Sequence, residues 1–120
     1  MNRSALILFA HGARDPAWAV PFQRILDRVH ETAHERAPML AFLELMAPDL
    51  PTAIAAQVAR GFDGITIVPL FLGRGGHLRN DLPRIIEQAR ANHPGVTFEL
   101  RAPAGEDRRV IDAIADYAGQ

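Results

Sequence analysis

The sequence contains no cysteine and no lysine. Without cysteine there is no disulfide, no thiolate metal site and no cysteine nucleophile. Without lysine every fixed positive charge is an arginine, and a phosphate loop ending in Gly-Lys-Ser or Gly-Lys-Thr cannot exist. Charge of one sign is also missing: the formal net charge is -1, which gives no electrostatic case for nucleic acid or an anionic membrane as partner. No apolar run is long enough to span a bilayer. The first, which ends at Ala10, passes into His11-Gly12-Ala13-Arg14-Asp15, an unsuitable context for signal cleavage. Linkers, repeats and low-complexity segments are absent too. These absences leave a single cytoplasmic domain over residues 1–120, with ordinary globular composition and no nucleic-acid or membrane partner.

What is present is an alternation of apolar strands and amphipathic helices. Ala5 to Ala10 is continuously apolar, as expected of a central parallel strand. Asp15-Pro16 opens a helix to about Arg36, with Phe22, Leu26, Val29 and Ala33 on one stripe. A second strand is expected over Met39 to Met46, and a second helix follows Pro48-Asp49-Leu50-Pro51. Ile54, Val58 and Ala55 face inward there, and Gly61 sits at the C-terminal cap. Ile65 to Leu72 reads as a third strand buried on both faces. It runs into Gly73-Arg74-Gly75-Gly76-His77, and the next helix is expected from Asn80 or Asp81 to Asn92, with Pro83 at its start. Val96 to Leu100 is a fourth strand and Arg108 to Ala118 a last helix. The pattern implies an α/β fold, a four-stranded parallel sheet with helices on both faces joined by right-handed crossovers.

Ligands of such sheets bind beyond the carboxyl ends of the strands. Three of those ends carry chemistry: His11, Glu44 and His77. Two imidazoles and a carboxylate suit a divalent ion such as cobalt, nickel, iron or zinc, and the imidazoles also suit general-base work. Arg14, Arg74 and Arg79 flank the histidines and fit a ligand bearing several carboxylates. The loop with Gly75 and Gly76 admits two uses, cradling a phosphate on backbone amides or clearing room for a flat ligand. His30-Glu31-Thr32-Ala33-His34 matches the zinc-protease helix pattern. Its Glu31 nevertheless falls opposite the buried stripe, so solvated helix residues are the better account. Trp18 is expected to pack on the adjacent strand.

Several stretches together carry a family likeness. They are Phe9-Ala10-His11-Gly12-Ala13-Arg14-Asp15, Phe42-Leu43-Glu44 with Pro48, Val68-Pro69-Leu70-Phe71-Leu72, Gly76-His77, Asp81-Leu82-Pro83 and Ala102-Pro103-Ala104-Gly105. The chain resembles the small form of the sirohydrochlorin cobaltochelatase family, among the class II tetrapyrrole chelatases, over nearly its whole length. The resemblance implies a single-lobe chelatase domain that inserts a divalent metal into sirohydrochlorin, in cobalamin or siroheme biosynthesis. Cobalt is the first candidate, Fe2+ and Ni2+ the alternatives, and no organic cofactor is implied. It further implies that His11 and His77 handle metal and accept pyrrole protons, that Glu44 is a further ligand, and that the chain works as a homodimer. Arg14, Arg74, Gly75, Gly76 and Arg79 would then meet the macrocycle. Ala13 stands where the family commonly has serine. A non-catalytic metal or tetrapyrrole carrier would use the same pocket.

Overall fold

Residues 4–73 and 75–120 are described by a computed structural model, without the His77 side chain. Four strands, β1 (Ala5–Ala10), β2 (Met39–Phe42), β3 (Gly64–Pro69) and β4 (Thr97–Leu100), form one parallel sheet in the order β2-β1-β3-β4. Alternate β1 residues serve two layers. Ala5, Ile7 and Phe9 join Ile65 and Ile67 under α2 (Leu50–Ala59) and α3 (Gly76–Asn92). Leu8, Ala10, Leu40 and Phe42 lie under Trp18, Phe22, Leu26 and Val29 of the α1 region, α1 being Val20–Ala33. Burial on both faces is why β1 and β3 show no polar alternation. Trp18 packs on the strand residues of this layer as expected, its ring centroid 4.5 Å from that of Phe22.

Several boundaries differ from those expected, each for a local reason. The first helical segment is not continuous from Pro16 to Arg36. It opens as a 3-10 turn, Pro16–Ala19, capped by Asp15, and closes as another, His34–Arg36. Pro21 stands at the start of α1 proper, where its missing N–H costs nothing. β2 stops at Phe42 instead of Met46, because the chain turns through Leu45 at φ +67°. β3 ends at Pro69 instead of Leu72, a proline being unable to donate to the ladder. α3 begins at Gly76, not at Asn80 or Asp81, and carries Pro83 in its interior. Leu78, Leu82, Ile86 and Ala89 are buried along one stripe of it, so packing outweighs the hydrogen bond lost at proline. Ala55 is exposed, and Ala53 and Gln57 are buried beside Ile54 instead.

The amino end of the sheet is tied by polar groups. The Arg36 guanidinium donates to the Ser4 carbonyl (2.8 Å) and to Thr66 Oγ1 (3.1 Å), and Thr66 donates to Glu99 (3.0 Å). Because every strand is parallel, all four carboxyl ends lie at the opposite edge. The last helix, α4 (Arg108–Ala118), is unlike the others: Ile111, Ile114 and Tyr117 are 50%, 46% and 79% exposed.

Candidate metal and ligand site

The strand order places a topological switch between β1 and β3. From β1 the chain crosses by α1 to β2 on one side, while β3 leads by α3 to β4 on the other. Such a switch opens a crevice at the carboxyl edge. His11 follows β1, and His77 falls in the first turn of α3 after β3. The histidine read as a loop residue is therefore a helix-start residue. Its side chain, like Arg74 as a whole, lies outside the described residues.

At the β1 exit the geometry is explicit. The amides of Leu43 and Glu44 donate to the Ala10 and His11 carbonyls, at 2.9 and 3.1 Å. This lays the chain after β2 alongside the chain after β1. Gly12 makes that approach possible. Its φ is +95°, and a Cβ there would collide with the Glu44 carbonyl, so the position admits only glycine. Leu45 then turns the chain away with a positive φ of its own. His11 Nε2 and Glu44 Oε1 end 3.1 Å apart, each side chain 52% exposed. The imidazole also stands edge-on to Phe71, with ring centroids 6.3 Å apart, and Phe71 packs on the buried Phe9 at 5.8 Å. One end of the imidazole–carboxylate pair is thus braced by the core while the rest faces solvent.

Among the described residues, no three histidine, aspartate or glutamate side chains gather as a closed metal site. Imidazole nitrogen and carboxylate oxygen are donor types that divalent transition metals accept, and in His11 and Glu44 both are half-exposed. Arg14 and Arg79 are exposed, at the β1 exit and in the first turns of α3. Gly75 is the residue before α3 and Gly76 its first residue. A Cβ added at either would meet no described atom within 4 Å, so no contact among the described residues requires glycine there. The zinc-protease-like pattern lies apart from this edge. Glu31 pairs with Arg28 at 3.1 Å on the solvent side of α1, and His30 and His34 are exposed. Sequence reasoning missed Phe71 as the support of His11 and Gly12 as the contact point with Glu44. The available signals were the aromatic in Val68-Pro69-Leu70-Phe71-Leu72 and the glycine directly after His11.

The family model CbiX matches residues 5–120. The chain belongs to the CbiX family. It is 26% identical to the sirohydrochlorin cobaltochelatase of Methanocaldococcus jannaschii, over 95% of this chain and 96% of that protein. It is 29% identical to the sirohydrochlorin ferrochelatase of Bacillus subtilis over 93% of this chain, but spans only 43% of that protein. Among solved structures, a cobalamin (vitamin B12) biosynthesis CbiX protein from Marinobacter aquaeolei superposes with a TM-score of 0.86 at 36% identity. The match covers 98% of this chain and 93% of that one. The sirohydrochlorin chelatase SirB from Bacillus subtilis subspecies spizizenii, in complex with cobalt, superposes at 0.84 and 26% identity. There, 99% of this CbiX chain covers 50% of SirB. The α/β sheet expected from the sequence is thus the fold of these chelatases. No helix among the described residues is long and apolar enough to cross a membrane.

Proposed function

We propose that this CbiX-family chain inserts a divalent metal into sirohydrochlorin, with Co2+ as its first substrate metal and Fe2+ or Ni2+ as alternatives. The observation that carries the proposal is the His11–Glu44 pair, held open at the sheet's switch point. His11 Nε2 and Glu44 Oε1 share a hydrogen bond of 3.1 Å, and metal binding would displace the proton between them and bring one nitrogen and one oxygen donor to the ion. His11 and Glu44 hold the incoming metal, and His77 acts with His11 on the ring. Insertion replaces two pyrrole N–H protons by one M2+. One proton passes to the imidazole of His77 and the other to His11 as its nitrogen releases the metal, both go on to water, and the metal leaves its weak protein ligands for four ring nitrogens. Arg14, Arg74 and Arg79 hold the ring's carboxylates, and Gly75 and Gly76 leave room for its flat face.

The working unit is a homodimer in the cytoplasm, and the exposed face of α4 supports the pairing. Val110, Ile111, Ile114 and Tyr117 form an apolar stripe beside an open groove of about 920 Å³ that reaches Val68 and Arg101. SirB is about twice as long as the chain, so a pair of chains matches it in length, and the α4 face is the apolar surface left for the pairing. The test is multiple turnover. Purified protein with sirohydrochlorin and Co2+, Fe2+, Ni2+ or Zn2+ should give metallated product well beyond one equivalent, followed by absorbance. Binding that stops at one equivalent, with no product released, would instead identify a carrier.

A further inference from the structure

Two leucines stand exposed at the carboxyl edge, one on each side of β1. Leu45 is 57% exposed and Leu72 is 74% exposed. The sheet order β2-β1-β3 puts the β2 exit, with Leu45, and the β3 exit, with Leu72, on opposite flanks of the β1 exit at His11. Backbone hydrogen bonds hold both exits to the β1 chain. The Glu44 amide donates to the His11 carbonyl at 3.1 Å, and the Leu70 amide donates to the Phe9 carbonyl at 2.8 Å. Each leucine is also next in sequence to a residue of the site: Leu45 follows Glu44, and Leu72 follows Phe71, the ring beside His11.

A single apolar residue on a surface needs no explanation, but Leu45 has a backbone cost attached. Its φ is +67°, a left-handed conformation that glycine or asparagine adopts readily and leucine does not. The turn itself would form more easily without this leucine, and the core gains little from a side chain more than half in solvent. Backbone strain of this kind collects at functional sites. Leu72 is fixed differently. The Gly105 amide donates to the Phe71 carbonyl at 2.8 Å, and a Cβ on Gly105 would collide with the Leu72 backbone. The turn Ala104–Glu106 thus lies directly against the chain at Leu72 and holds it, while the leucine side chain stays in solvent.

We propose that Leu45 and Leu72 form an apolar rim around the metal pair, against which the flat face of the tetrapyrrole rests. The proposal rests on the chelatase reading and adds two residues that position the ring by its face. The ring, and not a second copy, is the occupant because the leucines border the pair where metal and ring must meet, whereas α4 carries the apolar face for pairing. An aliphatic side chain has no strong donor or acceptor, so it contacts a conjugated ring without competing with His11 and Glu44 for metal or protons. Such contact is equal before and during metal transfer, so its loss raises KM and spares kcat. Leu45→Asn keeps the size and suits the left-handed turn while removing apolar surface. It should raise KM for sirohydrochlorin about tenfold, with kcat changed less than about twofold and the thermal midpoint unchanged. Leu72→Asn should do the same from the other flank, and Leu45→Met should restore most of the loss. Binding of Co2+ alone should be unchanged in Leu45→Asn, which separates ring contact from displacement of Glu44. An unchanged KM in both asparagine variants, beside a wild type that metallates the ring, overturns the rim and leaves the chelatase reading standing. Weakened Co2+ binding, or a change from dimer to monomer on sedimentation, assigns Leu45 to Glu44 or to a second copy and overturns the rim equally. A wild type that neither binds nor metallates sirohydrochlorin overturns both readings.

Discussion

At the scale of single residues, the site is governed by contacts no larger than a methyl group. Gly12 has to be glycine because the Glu44 carbonyl occupies the space of its Cβ and because φ is +95°. Gly12→Ala should therefore push the β1 and β2 exits apart, lower stability by about 2 kcal/mol or more, and abolish metallation. A variant with wild-type melting and turnover would show that the close approach is dispensable. The meeting of His11 and Glu44 at one edge of the sheet was legible in the sequence, because each follows a recognisable parallel strand. Phe71 as the support of His11 was not, because an aromatic inside an apolar run looks the same whether it fills the core or braces a neighbouring side chain.

Among the elements, the central strands were the most legible, since burial on both faces leaves an unbroken apolar run. Boundaries failed where a local signal competed with packing. Asp81 and Pro83 look like a helix start, yet the stripe from Leu78 to Ala89 carries α3 back to Gly76. The caps of α2 and α4 followed the ordinary rule, with Asp49 accepting from the Thr52 amide at 2.9 Å and Asp107 from the Arg109 amide at 2.8 Å. Hydrogen bonds from the Arg109 side chain and amide hold the Asp107 carboxyl at about 2. A carboxyl depressed by folding stabilises the folded state above its unfolded value of about 3.9, and that stabilisation is lost as pH falls through the folded value. The first turn of α4 should hence stay protected at pH 5 and fray between about pH 4 and pH 2, read by amide exchange at Val110 and Ile111. Protection that is flat across this range would mean that the cap contributes nothing.

The whole molecule has one sealed layer under α2 and α3 and a second, less complete layer under α1. With a radius of gyration of 14.6 Å and extents of 48 × 33 × 27 Å, it is looser than the roughly 13.6 Å typical of 120 residues. The exposed α4 stripe belongs to that looseness. In the sequence it looked like any other amphipathic helix; periodicity marks which face is apolar but not which surface covers it. If a second copy does, the chain should sediment at twice 13.2 kDa, and Ile111→Glu with Ile114→Glu should yield a folded monomer with reduced turnover. A wild type that sediments as a monomer would leave the face for another role. The central claim, that the strand-end histidines carry metal insertion, is tested most directly by one assay. It follows cobalt insertion into sirohydrochlorin by absorbance, with wild type, His11→Ala and His77→Ala at equal folded concentration. Multiple turnover by wild type and loss of at least a hundredfold in each variant is the expected result. Undiminished turnover in both variants would contradict it.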